Sequence, residues 1–282
     1  MKRLTPLGDD PAYIDRYVAI RNQKRLAVRN QLVAAHPFVE ERYDKLDEAI
    51  AADTLRLMEV DGRAAPIGDA LRACYGGSTQ PLKDLKKAIT AAQPKRLLKY
   101  CPMCGTTIHS TFDHYLPAVR FPEFSVHPLN LIPCCSKCNS TKNDDWLTPA
   151  GRRQYLHAFS DEIPDATFVT VTLHEGDVMT GVGASFSLVR PNEIEASTWV
   201  LIKSHFDRLH LLERYAELSN DEIAEMLSDC RIFLDSGGPD VRQFLGHCAQ
   251  ERFGIHGRNH WRAVLMQALA EHENLDSWLE VA

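Results

Sequence analysis

From Tyr13 onward the apolar positions Tyr13, Ile14, Tyr17 and Val18 recur at the spacing of one helix face. Asp10 before Pro11 reads as the cap of that helix, with the proline in its first turn. The same periodicity predicts a mainly helical stretch to about Leu97, with breaks near His36-Pro37, Ala65-Pro66 and Gly76-Gly77. On that reading Arg21, Arg25 and Arg29 share one helix face.

The pattern changes between Tyr100 and about Trp146, where short apolar runs alternate with prolines, glycine and five of the eight cysteines. Farther on, Thr167 to Leu173 and Val182 to Val189 are β-branched and aromatic runs. The segment between them opens with His174-Glu175-Gly176-Asp177, which predicts an antiparallel hairpin. Helical periodicity returns from Asn192. Trp199, Ile202, Phe206, Leu209 and Leu212 form one apolar stripe, and Ser219 with Glu222 fits a capping box for the next helix. Gly237-Gly238-Pro239 breaks the series, and Trp261, Val264, Leu265 and Leu269 mark a last amphipathic helix.

Composition narrows the class. With 44% hydrophobic and 25% charged residues over 282 positions, the chain can bury a core. No apolar run approaches the roughly 18 residues needed to span a bilayer, and MKRLTPLGDDPAYID has no apolar stretch behind its basic residues. The expectation is therefore no membrane span and no secretory signal. The net charge of -6, from 32 Lys plus Arg against 38 Asp plus Glu, excludes binding of nucleic acid through bulk positive charge; a local basic patch would be required. Eight cysteines without a signal point to a reducing cytoplasm, where close-spaced thiols more often hold metal than form disulfides.

Cys101-Pro-Met-Cys104 and Cys135-Ser-Lys-Cys138 are two CxxC pairs, where random placement of the cysteines would give roughly 0.2. Such a knuckle turns both thiolates toward one point, and four thiolates complete the tetrahedral shell that structural zinc prefers. An all-sulfur shell leaves no open position for water, so this metal is expected to hold the fold and do no chemistry. The alternative is a set of buried thiols or a redox pair, but a redox CxxC has no need of a second pair. Cys134 could replace Cys135 only by spoiling the knuckle spacing, and Cys74, Cys230 and Cys248 lie alone in helical patterns as core residues.

The stretch from Gly105 to Cys134 is longer than a simple zinc ribbon needs. It holds Phe112-Asp113-His114-Tyr115-Leu116-Pro117 and Asn130-Leu131-Ile132-Pro133, and Asn139 and Lys142 follow the last cysteine of the second pair. From Tyr100 to Trp146 this arrangement resembles the zinc-containing HNH, or ββα-metal, endonucleases. Their order is CxxC, an acid with His and a nearby Pro, Asn-Leu, then CxxC followed by His or Asn and a Lys. The resemblance implies that His114 is the general base and that Asp113 and Asn139 hold a catalytic Mg2+ or Mn2+. It also implies that Asn130 fixes the position of the His114 ring, while Cys101, Cys104, Cys135 and Cys138 hold Zn2+. Asn139 stands where many members have His, which makes an H-N-N variant; an amide oxygen still suits a hard ion.

The residues also have plainer readings. Asn130 could satisfy backbone groups in a turn, and Asn139 could cap the helix after the second knuckle. Lys142 could touch a phosphate or pair with Asp145. His109 and His127 read as ordinary core or surface residues. Adjacent strand residues point to opposite sides, so Asp113 and His114 would divide the labour, metal on one side and water on the other. Upstream, Lys83, Lys86, Lys87, Lys95, Arg96 and Lys99 crowd the approach to the first cysteine pair; this run is a solvated face or a phosphate contact.

The expected architecture is α+β and mainly helical. A small ββα-metal core with its four-cysteine zinc site occupies residues 98–147, between a helical region at 1–97 and a C-terminal region at 148–282 with a β-hairpin and then helices. The implied activity is metal-dependent hydrolysis of DNA phosphodiesters, leaving a 5′-phosphate and a 3′-hydroxyl, and one site cuts one strand. Many such nucleases are effectors of bacterial restriction or anti-phage systems, which makes an ATPase or sensor subunit and a second copy of the chain candidate partners. The alternatives are a zinc-stabilised nucleic-acid-binding module without catalysis and an RNA-directed nuclease of the same type.

Overall fold

Helix-forming runs separated by glycine and proline breaks resolve, in a computed structural model describing residues 2–175 and 181–281, into an α+β, mainly helical protein with two small sheets. Residues 3–162 form one compact unit, and residues 163–281 with Lys2 form another. The helices before the cysteine-rich segment thus share a unit with it, and the division falls after Glu162.

The first unit begins with α1 (Tyr13–Asn22), α2 (Leu26–Ala34) and α3 (His36–Ala51), followed by α4 (Gly68–Ala73) and α5 (Gln80–Ala91). Their core is apolar and aromatic: Tyr17 and Ile20 of α1, Leu32 of α2, Val39, Tyr43 and Leu46 of α3, and Leu82, Leu85 and Ile89 of α5 are buried. Asp10 does not cap α1. The helix starts two residues after Pro11, behind Ala12, which offers no side-chain oxygen. Arg21, Arg25 and Arg29 do not share a helix face either: α1 ends at Asn22, and Arg25 lies in the turn that starts α2. The other breaks fall as expected. Pro37 sits in the first turn of α3, where its missing N–H costs nothing, and Gly77 takes φ +77° between α4 and α5.

Next comes a short antiparallel hairpin, β1 (Thr111–His114) with β2 (Leu131–Cys134), in register Thr111 with Cys134 through His114 with Leu131. Helix α6 (Ser136–Lys142) follows β2 and packs on β1. The chain then runs past buried Trp146, whose ring meets the edge of Phe121, and returns to the start of the unit, where the Leu4 amide donates to the Ala158 carbonyl at 2.8 Å.

In the second unit, β3 (Val169–Glu175) and β4 (Val182–Leu188) form the expected antiparallel hairpin, with Val169 opposite Leu188 and Glu175 opposite Val182. Of the segment expected to join them, Gly176 and Asp177 lie outside the described residues. Alternation explains the packing of β4: Ala184 and Phe186 are buried, while Ser185 and Ser187 face water. The helices are α7 (Ala196–Arg208), α8 (Leu211–Asp235), α9 (Val241–His256), α10 (Trp261–Glu271) and α11 (Leu275–Val281). Phe186 meets Tyr215 of α8 at 5.6 Å, and Tyr215 stacks on Trp261 of α10 at 5.7 Å. Asn259, buried before α10, accepts from the amides of Phe168 and Val169 and donates to Ala166, fixing the entry to β3.

Three expectations for this unit are corrected. The stripe from Trp199 to Leu212 is split, because His210 at φ +51° ends one helix and starts the next. Ser219 and Glu222 form no capping box; both lie inside α8, where Ser219 bonds to the Ala216 carbonyl and Glu222 pairs with Arg262. The helix at Trp261 is followed by α11. Among the described residues no helix is long and apolar enough to cross a membrane.

Candidate functional site

The cysteine end of the short hairpin is built by two turns. At the first, the Cys101 amide donates to Thr107 and the Gly105 amide to the Cys101 carbonyl, with Gly105 at φ +69°, a conformation that favours glycine. At the second, Cys135 caps α6, its sulfur accepting from the Cys138 amide. Cys101, Cys104, Cys135 and Cys138 are all buried, and their sulfurs lie within 4.8 Å of one another.

The distances select among the readings. Cys104 and Cys135 have sulfurs 3.9 Å apart, and a zinc ion with sulfurs about 2.3 Å away at tetrahedral angles would hold them about 3.8 Å apart. A disulfide needs about 2.05 Å, and none of these cysteines forms one. The Cys135 amide also points at Cys101 Sγ at 3.3 Å, the kind of donor that steadies a thiolate. The cluster can therefore bind a metal such as zinc. Cys134 stands apart: burial pushes its thiol up to about 12, and its sulfur lies 3.5 Å from Thr111 Oγ1.

Asp113 and His114 leave β1 in different directions. Asp113 is 2% exposed and faces α6, where Lys142, fully buried, brings its ammonium 3.0 Å from Oδ2 and 3.3 Å from Oδ1. The same ammonium donates to the His114 carbonyl at 2.8 Å. Burial raises the Asp113 carboxyl despite the opposing pull of Lys142, and Oδ2 lies out of line for a hydrogen bond. Lys142 therefore pairs with Asp113 rather than with Asp145, and its burial keeps it from reaching a phosphate at the surface. One turn earlier on α6, Asn139 donates from Nδ2 to Thr111 Oγ1 at 3.0 Å. Thr111 and Asp113 are two apart on one strand face, so Asn139 and Asp113 share the β1–α6 interface without a hydrogen bond between them.

His114 turns to the other side. Its Nε2 lies 2.9 Å from the Ser125 carbonyl, which can only accept, so Nε2 carries the proton and Nδ1 the lone pair of the neutral ring. Nδ1 has no protein partner among the described residues. Burial is the main reason the imidazole is lowered to about 4; the hydrogen bond to Ser125 opposes that shift, and Lys142 and Lys86 add to it. Tyr75 packs edge-on against the ring at 4.5 Å and donates its hydroxyl to the Phe112 carbonyl.

Asn130 does not touch His114. Its side-chain oxygen accepts from the Leu116 amide at 2.7 Å, and its Nδ2 donates to the Leu116 and Phe124 carbonyls at 3.1 Å. It thus ties together the two ends of the loop that carries Ser125, and any effect on the ring passes through that loop. Helix α3 grips the same loop on both sides of Ser125. Arg42 pairs with buried Glu123 at 2.8 Å, Asp47 lies 3.3 Å from His127, and Tyr43 packs against the rings of Phe124 and His127. His127 is therefore a core residue, and His109 bonds through Nδ1 to the Leu98 carbonyl.

Sequence reasoning missed the Ser125 carbonyl, Arg42 and Tyr75. The sequence does carry one signal for Arg42: Glu123 is a lone carboxylate among Phe121, Phe124 and Val126, and a carboxylate in such a setting calls for a buried cation.

Fold and site together define an α+β, mainly helical protein with a buried four-cysteine centre beside a strand–strand–helix unit. No protein-family model and no solved structure matches the chain. It is similar to Protein ea31 of Escherichia phage lambda, 28% identical over 186 residues that cover 62% of this chain and 62% of that relative.

Proposed function

We propose that the protein is a metal-dependent endonuclease of the HNH type, hydrolysing DNA phosphodiesters at the hairpin formed by β1 and β2, with zinc at the four cysteines. The observation that carries this reading is the setting of His114: Nε2 lies 2.9 Å from a backbone carbonyl, so the neutral ring keeps its lone pair on Nδ1, which has no partner among the described residues. That is the form a general base needs to take a proton from water at neutral pH. Asn130 and α3 hold the loop that sets the tautomer.

A divalent ion suits the oxygens of Asp113 and Asn139. The amide of Asn139, bonded through Nδ2, leaves its oxygen for a ligand, whereas Oδ2 of Asp113 would have to exchange the Lys142 ammonium, 3.0 Å away, for the ion. When bound, a Mg2+ or Mn2+ ion would supply positive charge against the negative charge that builds on the phosphate and leaving oxygens. His114 accepts the proton of the attacking water, and Lys142 fixes the end of β1 that presents both Asp113 and His114.

A second reading, a zinc-stabilised nucleic-acid-binding module without hydrolysis, draws support from the ion pair that already engages Asp113. Incubation of the purified protein with supercoiled plasmid and with structured RNA, with and without Mg2+ or Mn2+, separates the readings. The nuclease reading expects metal-dependent nicking of DNA that His114→Ala reduces by about 10²- to 10⁴-fold, with zinc content and circular dichroism unchanged. Undiminished cutting by that variant overturns His114 as the base, cutting of RNA alone reassigns the substrate, and binding without cutting favours the second reading. Under the nuclease reading, an ATPase or sensor subunit of a defence system, or a second copy of this chain, would restrain or complete the activity.

A further inference from the structure

Two lysines flank β1, and only one of them is engaged. Lys142 spends its donors on Asp113 and the His114 carbonyl. Lys86, from α5, lies on the other side with Tyr75 and His114. Its ammonium rests 4.0 Å from the centre of the Tyr75 ring and 5.5 Å from that of Phe112, and Tyr75 in turn packs on His114.

A ring face attracts an ammonium through its quadrupole and uses none of the three N–H donors. Among the described residues Lys86 Nζ has no hydrogen bond and no carboxylate at ion-pair distance. Burial alone lowers this ammonium from its ordinary value, a penalty that an anion at the same place would relieve. The helix explains how the side chain gets there. Leu82, Leu85 and Ile89 bury one face of α5, and Lys86 lies half-buried at its edge, whereas Lys83 and Lys87 are exposed. Of the basic run before the first cysteine pair, Lys86 is thus the member held by aromatic rings beside the imidazole.

We propose that Lys86 is a substrate-binding residue whose ammonium, held on Tyr75 and Phe112, contacts a non-bridging oxygen of the nucleic-acid backbone on the His114 side of β1. The proposal rests on the nuclease reading for the choice of ligand, a phosphodiester, but predicts binding as well as cutting. On a chain of net charge -6, Lys86 adds one local positive charge beside the imidazole.

The test measures binding of a fluorescein-labelled 20-base-pair duplex to the full-length protein by anisotropy, without added divalent ion, over a salt series, alongside plasmid nicking. A single lost phosphate contact should lower the slope of log K against log salt by about 0.9 and weaken binding about eightfold at 0.1 M salt. Lys86→Met should show both effects with unchanged thermal unfolding, because Met keeps apolar contact with the rings. Lys86→Arg should stay within about twofold, and Lys83→Met should leave the slope unaltered. A wild-type slope in Lys86→Met, or equal losses in Lys86→Met and Lys83→Met, overturns the proposal, as does absence of duplex binding by the wild type. Lys86-dependent binding by a protein that cuts nothing sustains the proposal and overturns the nuclease reading. Cutting that is indifferent to Lys86 does the reverse.

Discussion

The two hairpins of this protein are held in place by different physics. The second, β3–β4, has seven-residue strands that alternate apolar and polar positions and lay Ala184 and Phe186 on an aromatic core with Tyr215 and Trp261. The first has four-residue strands, and both Asp113 and Lys142 are buried beside it. Burial of apolar area organises the second hairpin, whereas the first adds to its buried Leu131 and Ile132 four sulfurs, an ion pair and the hydrogen bonds of Asn130. A hairpin of four-residue strands with a long loop buries too little to be stable by itself. The sulfur cluster, able to bind a metal, and the paired charges add to the apolar packing of Phe121, Phe124, Leu129 and Trp146 in the same unit.

The largest expected break in this contrast comes from the sulfurs. Structural zinc contributes about 10–16 kcal/mol of apparent binding free energy in small zinc domains. Cys135→Ser should therefore abolish stoichiometric zinc, measured by elemental analysis, and remove hydrogen-exchange protection from residues 100–146 while residues 169–175 and 182–188 keep theirs. Cys134→Ser, one position away but outside the cluster, should keep both metal and protection. Loss of zinc from Cys134→Ser with retention in Cys135→Ser would reverse the ligand assignment.

A smaller effect follows from the buried charges. Lys142→Met strands Asp113 without its cation and should cost about 3–5 kcal/mol in urea unfolding. Adding Asp113→Asn should recover part of that loss, since a neutral amide is cheaper to bury than a carboxylate. A cost below about 0.5 kcal/mol, as for an ordinary surface lysine, would mean that the pair does not organise the first hairpin. The smallest effect belongs to the second hairpin, where Thr170 Oγ1 lies 2.7 Å from Ser187 Oγ on the exposed face. Thr170→Ala should cost about 0.2–1 kcal/mol, measured in the same urea unfolding. A larger loss would show that this hairpin also depends on polar pairing.

The same contrast governs what the sequence makes legible. Alternation from Thr167 to Leu173 and from Val182 to Val189, and the spacing of the cysteine pairs, are local signals, and the second hairpin and the sulfur cluster follow from them. Ser219 and Glu222 mislead because a capping-box pattern inside a long helix is outvoted by burial of Ser219 and by the partner Arg262. Asp10 misleads because the cap position falls one residue past the proline. Around His114 the decisive contacts join residues far apart in the chain: Arg42 with Glu123, Tyr75 with the ring, and Lys142 with Asp113. No periodicity records such pairings, because each depends on where two separate elements meet in space.

The partner that sets the proton of His114 is the main-chain oxygen of residue 125. Every amino acid carries that oxygen, so replacing the residue there cannot delete it; only rerouting the chain can. The tautomer of the neutral imidazole is thus inherited from the course of a loop, and mutational drift at position 125 that preserves this course leaves it intact.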